Sequence, residues 1–211
     1  MGPMASSLRR VYRRLRYGQP IVVVSGLPRS GTSMVMKMLE AGGLSVLTDG
    51  LRAADEDNPK GYYEVERVKQ LAEEGDKRWL AEARGKGIKV ISYLLKSLPR
   101  HFNYRVVFIR REMDEVLASQ RKMLARRGET EETAPDRMRA LFEDDLWRAS
   151  YQLKHRPEFE TLELHYSAVL ARPLEEAKRL AAFLGGGLDA EAMAAAVDPQ
   201  LYRNRASRTA P

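Results

Sequence analysis

Residues 21–24, Ile21-Val22-Val23-Val24, form an unbroken β-branched run with no polar alternation. Such a run predicts a strand buried on both faces, as in a parallel sheet covered by helices. A tight turn follows through Gly26 and Gly31. Apolar residues then recur at Met34, Val35, Met38 and Leu39 before Gly42 and Gly43, which predicts a helix two to three turns long. Farther on, the pattern predicts a short strand over 43–47, a polar loop over 48–61, a helix over 64–73 and a strand over 87–93 beside the first. A strand over 104–109, a helix over 113–126, a polar loop over 128–136, a strand over 161–166 and a helix over 174–184 complete the reading. The long helix expected at 135–154 carries Met138, Leu141, Phe142, Leu146, Trp147 and Tyr151 at helical spacing, a stripe assigned to the core. The alternation implies an α/β fold of P-loop type, with four or five parallel strands flanked by helices on both faces.

Composition narrows the class. A chain of 211 residues with 44% hydrophobic content suits one domain with a proper core, placed at 20–205 between an N-terminal arm (1–19) and a tail (206–211). No apolar run is long enough for a membrane span and the N-terminus lacks a signal-peptide core, so a cytoplasmic protein is expected. The absence of cysteine excludes disulfides and thiolate chemistry, and three scattered histidines offer no metal-ligand spacing. The net charge of +7 is concentrated in the arm, where Arg9, Arg10, Arg13, Arg14 and Arg16 surround Leu8, Val11, Tyr12 and Leu15. Such an arm could dock on phospholipid or RNA; the expectation is instead that its narrow apolar stripe packs on the domain.

The candidate chemistry sits in the first turn. Strand, glycine-rich turn and helix make an anion cradle, because turn N–H groups and the positive end of the helix dipole converge there. Gly26 and Gly31 have the spacing of the nucleotide-triphosphate loop G-x-x-x-x-G-K-[ST], but Thr32 stands where lysine should be. A cation is found instead at Arg29, whose planar guanidinium suits phosphate or sulfate oxygens. The fourth strand ends in Arg110-Arg111, where a magnesium-binding strand would end in aspartate. Arginines in place of carboxylates point to a polyanionic nucleotide bound without a metal.

Pro28-Arg29-Ser30-Gly31-Thr32-Ser33 resembles the 5′-phosphosulfate loop of the sulfotransferase family. Arg111, at a strand end, and Ser119, eight residues later, resemble the family's second signature. A third segment, Leu164-His165-Tyr166-Ser167 with Arg172-Pro173-Leu174 and Phe183-Leu184-Gly185, is similar to its closing strand and helix. The resemblance spans roughly residues 20–205. It implies 3′-phosphoadenosine 5′-phosphosulfate (PAPS) as donor, 3′-phosphoadenosine 5′-phosphate (PAP) as product, no metal, and a small-molecule or other acceptor bearing a hydroxyl or amine. It assigns donor binding to Arg29, Ser30, Gly31, Thr32, Ser33, Arg111 and Ser119, with Arg203 in the tail as a further anion contact. Arg29 would also stabilise charge during transfer. The family's histidine base is replaced here by Ser92 and Tyr93, which moves the base to a carboxylate. Asn58-Pro59-x-Gly61-Tyr62-x-Glu64 resembles a bacterial pattern that makes Glu64 that base, with Asp55 or Asp57 as alternatives. Two rival classes remain: a P-loop kinase, disfavoured by Thr32 and Arg111, and a non-enzymatic nucleic-acid-binding protein using the basic arm.

Overall fold

The structure, a computed structural model, describes residues 3–50, 63–126, 128 and 134–198. Its elements run α1 (Pro3–Tyr17), β1 (Ile21–Ser25), α2 (Thr32–Ala41), α3 (Glu66–Lys69), β2 (Gly87–Lys89), β3 (Tyr104–Arg110) and α4 (Met113–Arg126). They continue through α5 (Pro135–His155), β4 (Phe159–His165), α6 (Tyr166–Ala171), α7 (Pro173–Phe183) and α8 (Ala190–Ala195). The four strands are all parallel in the order β2-β1-β3-β4, with Ile21 level with Tyr104 and Tyr104 level with Phe159. Strand alternation divides β1 between two cores. Ile21 and Val23 pack with Leu94, Leu95, Phe108 and Phe159, while Val22 and Val24 pack with Val35, Met38, Leu39, Leu180 and Met193. Helices therefore cover both faces, which is why the β1 run has no polar position until Ser25.

Because the chain leaves β1 for β2 on one side and later reaches β3 on the other, the strand order switches at β1. The crevice beyond the carboxyl ends of β1 and β3 is the place where open sheets of this kind bind ligands.

Five expectations need correction. The strand at 43–47 contracts to a single parallel bridge between Val46 and Gly87, at the sheet edge. The strand expected over 87–93 stops at Lys89, because the chain turns at Ser92–Ser97 into a 3₁₀ turn whose Ser92 N–H reaches back to the Gly26 carbonyl (3.1 Å). The helix expected over 64–73 is only α3 followed by a 3₁₀ turn, and Glu64 lies in extended chain just before it. On α5, the residues turned to the body are Leu146, Ala149 and Leu153, whereas Leu141, Trp147 and Tyr151 are exposed. Trp147, Tyr151 and His155 instead stack on one another along the outer face. Finally, α1 rests on the domain through arginines, and its apolar stripe faces away.

Candidate functional site

The phosphate-type loop joins β1 to α2, and two of its glycines are fixed by steric necessity. A Cβ at Gly26 would lie 2.5 Å from Ser30 Oγ and 2.6 Å from the Ile109 carbonyl. Gly31 has φ 107° and a Cβ there would meet the Tyr166 ring at 2.5 Å. The loop is thereby pressed against β3 and the start of α6. Arg29 adopts φ 67°, a left-handed conformation for a non-glycine residue that costs on the order of 1–3 kcal/mol and commonly marks a functional turn. Ser30 is buried, its hydroxyl donating to the Leu27 carbonyl (2.7 Å), so its side chain braces the loop. α2 starts at Thr32 with no side-chain cap and no acidic residue in its first turn, leaving the dipole's positive end uncompensated by carboxylate.

The second motif arrives at the same place. β3 carries Arg111 just past its end, and α4 presents Ser119 on its buried face. Arg111 donates from Nη1 to the Arg29 carbonyl (3.1 Å), and Arg29 donates from Nε to Ser119 Oγ (3.1 Å). The Arg111 guanidinium also pairs with buried Glu115 (2.9 Å) and lies 4.3 Å from the centre of the Tyr166 ring. Burial pushes the Tyr166 phenol up, which keeps it neutral beneath the cation. The adjacent Arg110 takes a different course, to Glu163 (2.7 Å) and Ser150 (2.9 Å). Strand alternation separates the two arginines, and only Arg111 reaches the loop.

Ser33, on the first turn of α2, accepts from Lys89 Nζ (3.4 Å), and the same ammonium lies 3.3 Å from Glu64 Oε1. Lys89 thus ties Glu64 to the loop, with 16% and 25% of the two side chains exposed. Lys89 was not among the sequence candidates; its signal was a lone cation inside the apolar run 87–91. A second residue missed by sequence reasoning is Asp145 on α5, which accepts from the hydroxyl of Ser92, whose own N–H donates to the Gly26 carbonyl. Burial raises the Asp145 pKa, offset in part by the Ser92 hydrogen bond. Nothing in the acidic run 143–145 distinguishes it beforehand. Asp55, Asp57 and Arg203 lie outside the described residues. His165 is exposed at the end of β4, 3.5 Å from Glu163.

No protein-family model matches the sequence, and no curated protein matches it. Among solved structures, the fold is similar to the sulfotransferase domain from the curacin biosynthetic pathway, with a TM-score of 0.53 and 14% identity over 90% of this chain and 92% of that one. It is likewise similar to a sulfotransferase from Alicyclobacillus acidocaldarius, with a TM-score of 0.52 and 13% identity over 87% and 88%. A more distant likeness, at a TM-score of 0.46 and 16% identity, is to retinol dehydratase in complex with androsterone and inactive cofactor PAP, over 92% of this chain and 68% of that one. The chain shares the fold of these two sulfotransferases, built here on the four-stranded parallel sheet.

Proposed function

We propose that the chain transfers a sulfuryl group from PAPS to the hydroxyl or amine of a small acceptor, without a metal ion. The observation that carries this reading is the joining of two anion-binding motifs through Arg29, Arg111 and Ser119. PAPS, when bound, supplies an activated sulfuryl group on a nucleotide that also bears a 3′-phosphate. The donor set fits such a ligand: a loop with a left-handed arginine, a helix start free of carboxylate, and a second guanidinium linked to the first through the backbone. Arg29 and the N–H groups of residues 29–33 would hold the phosphosulfate end and stabilise negative charge there, since donors fixed beforehand need no reorganisation. Arg111 and Ser119 would hold the 3′-phosphate, and Arg203 remains a proposed further contact. Glu64 would take the acceptor's proton. Its neighbour Lys89, 3.3 Å away, also donates to Ser33 and so ties Glu64 to the loop.

A kinase reading lacks the loop lysine and would place Arg111 where magnesium needs a carboxylate. A nucleic-acid-binding reading asks the arm to present a cationic face, yet Arg10 and Arg13 hold α1 to the domain and the outward face carries the exposed Leu8, Val11, Tyr12 and Leu15 between Arg14 and Arg16. A cytoplasmic location is part of this proposal. Among the described residues, no helix is long and apolar enough to cross a membrane. Isothermal titration tests the donor assignment. PAP without metal should bind, and ATP with magnesium should bind at least about tenfold more weakly; the reverse order would replace this reading with the kinase.

A further inference from the structure

Helix α1 is amphipathic in the reverse of the usual sense. A surface helix ordinarily buries its apolar stripe and leaves its charges in water. Here Arg13 is only 4% exposed and donates from Nε to Asn103 Oδ1 (2.9 Å) and from Nη1 to the Pro157 carbonyl. Arg10 donates to Glu160 (2.8 Å) and to the Phe183 carbonyl (3.2 Å). On the other side Leu8, Val11, Tyr12 and Leu15, at i, i+3, i+4 and i+7, are 70%, 55%, 62% and 84% exposed. Arg14 and Arg16 are exposed on either flank of that stripe, and α1 contains no carboxylate.

The geometry points to α1 as a docking helix that lays this apolar stripe into the surface of an anionic lipid bilayer. An apolar stripe bordered by cations matches the two layers of such an interface, with leucines entering the acyl boundary and guanidinium groups at the phosphates. A nucleic acid would satisfy the arginines but leave Leu8, Val11 and Leu15 in water. A second copy of the chain would cover the leucines but bring two carboxylate-free, arginine-bordered stripes together, at a like-charge cost. Of these three occupants, the bilayer meets both features. The orientation that results is defined, because Arg13 holds α1 against Asn103 and Pro157, the residues that lead into β3 and β4. The helix therefore sits at the amino ends of the strands, and the loop at their carboxyl ends is left open to the aqueous phase.

Cosedimentation of the full chain with vesicles tests this. Wild type should partition onto phosphatidylglycerol–phosphatidylcholine vesicles at least about tenfold more strongly than onto phosphatidylcholine alone. The Leu8→Ser/Leu15→Ser variant should lose about tenfold or more of that binding, with melting temperature and PAP affinity unchanged, since both side chains are exposed. Tyr12→Trp supplies an independent reading: its emission should shift to the blue on adding the anionic vesicles. Absence of binding or of a shift, equal binding to both vesicle types, or an unaffected double variant would each overturn the proposal. So would sedimentation of a dimer lost in the double variant, or tight binding of single-stranded RNA, where vesicle binding is absent. PAP binding, read separately, keeps failure of the docking proposal distinct from failure of the sulfotransferase reading.

Discussion

The Arg111 guanidinium donates to the main-chain carbonyl of Arg29 at 3.1 Å, across a separation of 82 residues. The contact ties the end of β3 to the left-handed residue of the loop and holds the Arg111 guanidinium against the Arg29 main chain. Arg29 returns the link through Ser119 on α4. Two motifs that are separately ordinary become one cationic site by this closure.

Arg111→Ala and Ser119→Ala should each weaken PAP more than adenosine 5′-phosphate, because both residues are assigned to the 3′-phosphate. A charged hydrogen bond is worth about 1.5–3 kcal/mol, so the arginine change should exceed tenfold. It should also lower the melting temperature, since buried Glu115 would lose its 2.9 Å contact with the Arg111 guanidinium. Adding Glu115→Gln should recover stability but not PAP affinity. Equal losses for the two nucleotides, measured by titration calorimetry, would remove the assignment.

Arg29→Ala should reduce turnover at saturating donor at least as much as it reduces donor affinity, because part of its interaction grows as charge develops. Arg29→Lys should restore part of the rate. Normal turnover in the alanine variant would make Arg29 a binding residue only.

The parts of this architecture that the sequence expresses are those set by near neighbours along the chain. The β1 run, the Gly26–Gly31 turn and α2 follow from side-chain periodicity and backbone sterics within twenty residues, and each is present as expected. Arg111 stands just past β3 and Ser119 on α4, as a strand followed by a helix requires, while the donor-binding role given to them rests on the resemblance and is a proposal. Partners chosen at long range were not legible. Whether Leu146 or Trp147 faces the core depends on where α5 meets the sheet, and helical periodicity gives both the same weight. The reversal of α1 depends on Asn103, Pro157 and Glu160, which accept its arginines from far along the chain. Lys89 and Asp145 join the site through Ser33 and Ser92 in the same way.

Asp145 carries a pH signature. Its folded pKa is raised above the ordinary 3.8 by burial, so the folded state holds the proton more tightly than the unfolded chain. The associated stability is fully present below 3.8 and is lost as pH rises through the raised folded value. Asp145→Asn has no proton to lose and retains an acceptor for Ser92. Its melting temperature relative to wild type should therefore increase between about pH 3 and pH 7, and a difference flat across that range, or falling, would contradict the burial argument.

Glu64→Gln tests the assignment of the base. Glutamine preserves the shape of the side chain and its reach to Lys89, but cannot accept the acceptor's proton. PAP affinity and melting temperature should survive, because glutamine keeps an amide oxygen that can accept from Lys89. Transfer to an acceptor, followed by mass spectrometry of the sulfated product, should fall by about two to four orders of magnitude. Lys89→Met should also slow transfer, since it removes the ammonium that contacts both Glu64 and Ser33. Asp55→Asn, Asp57→Asn and Asp145→Asn belong in the same experiment, as the other carboxylates that could take the proton. Near-normal transfer by Glu64→Gln beside a collapse in one of these three would move the base to that residue, while leaving the donor site as assigned.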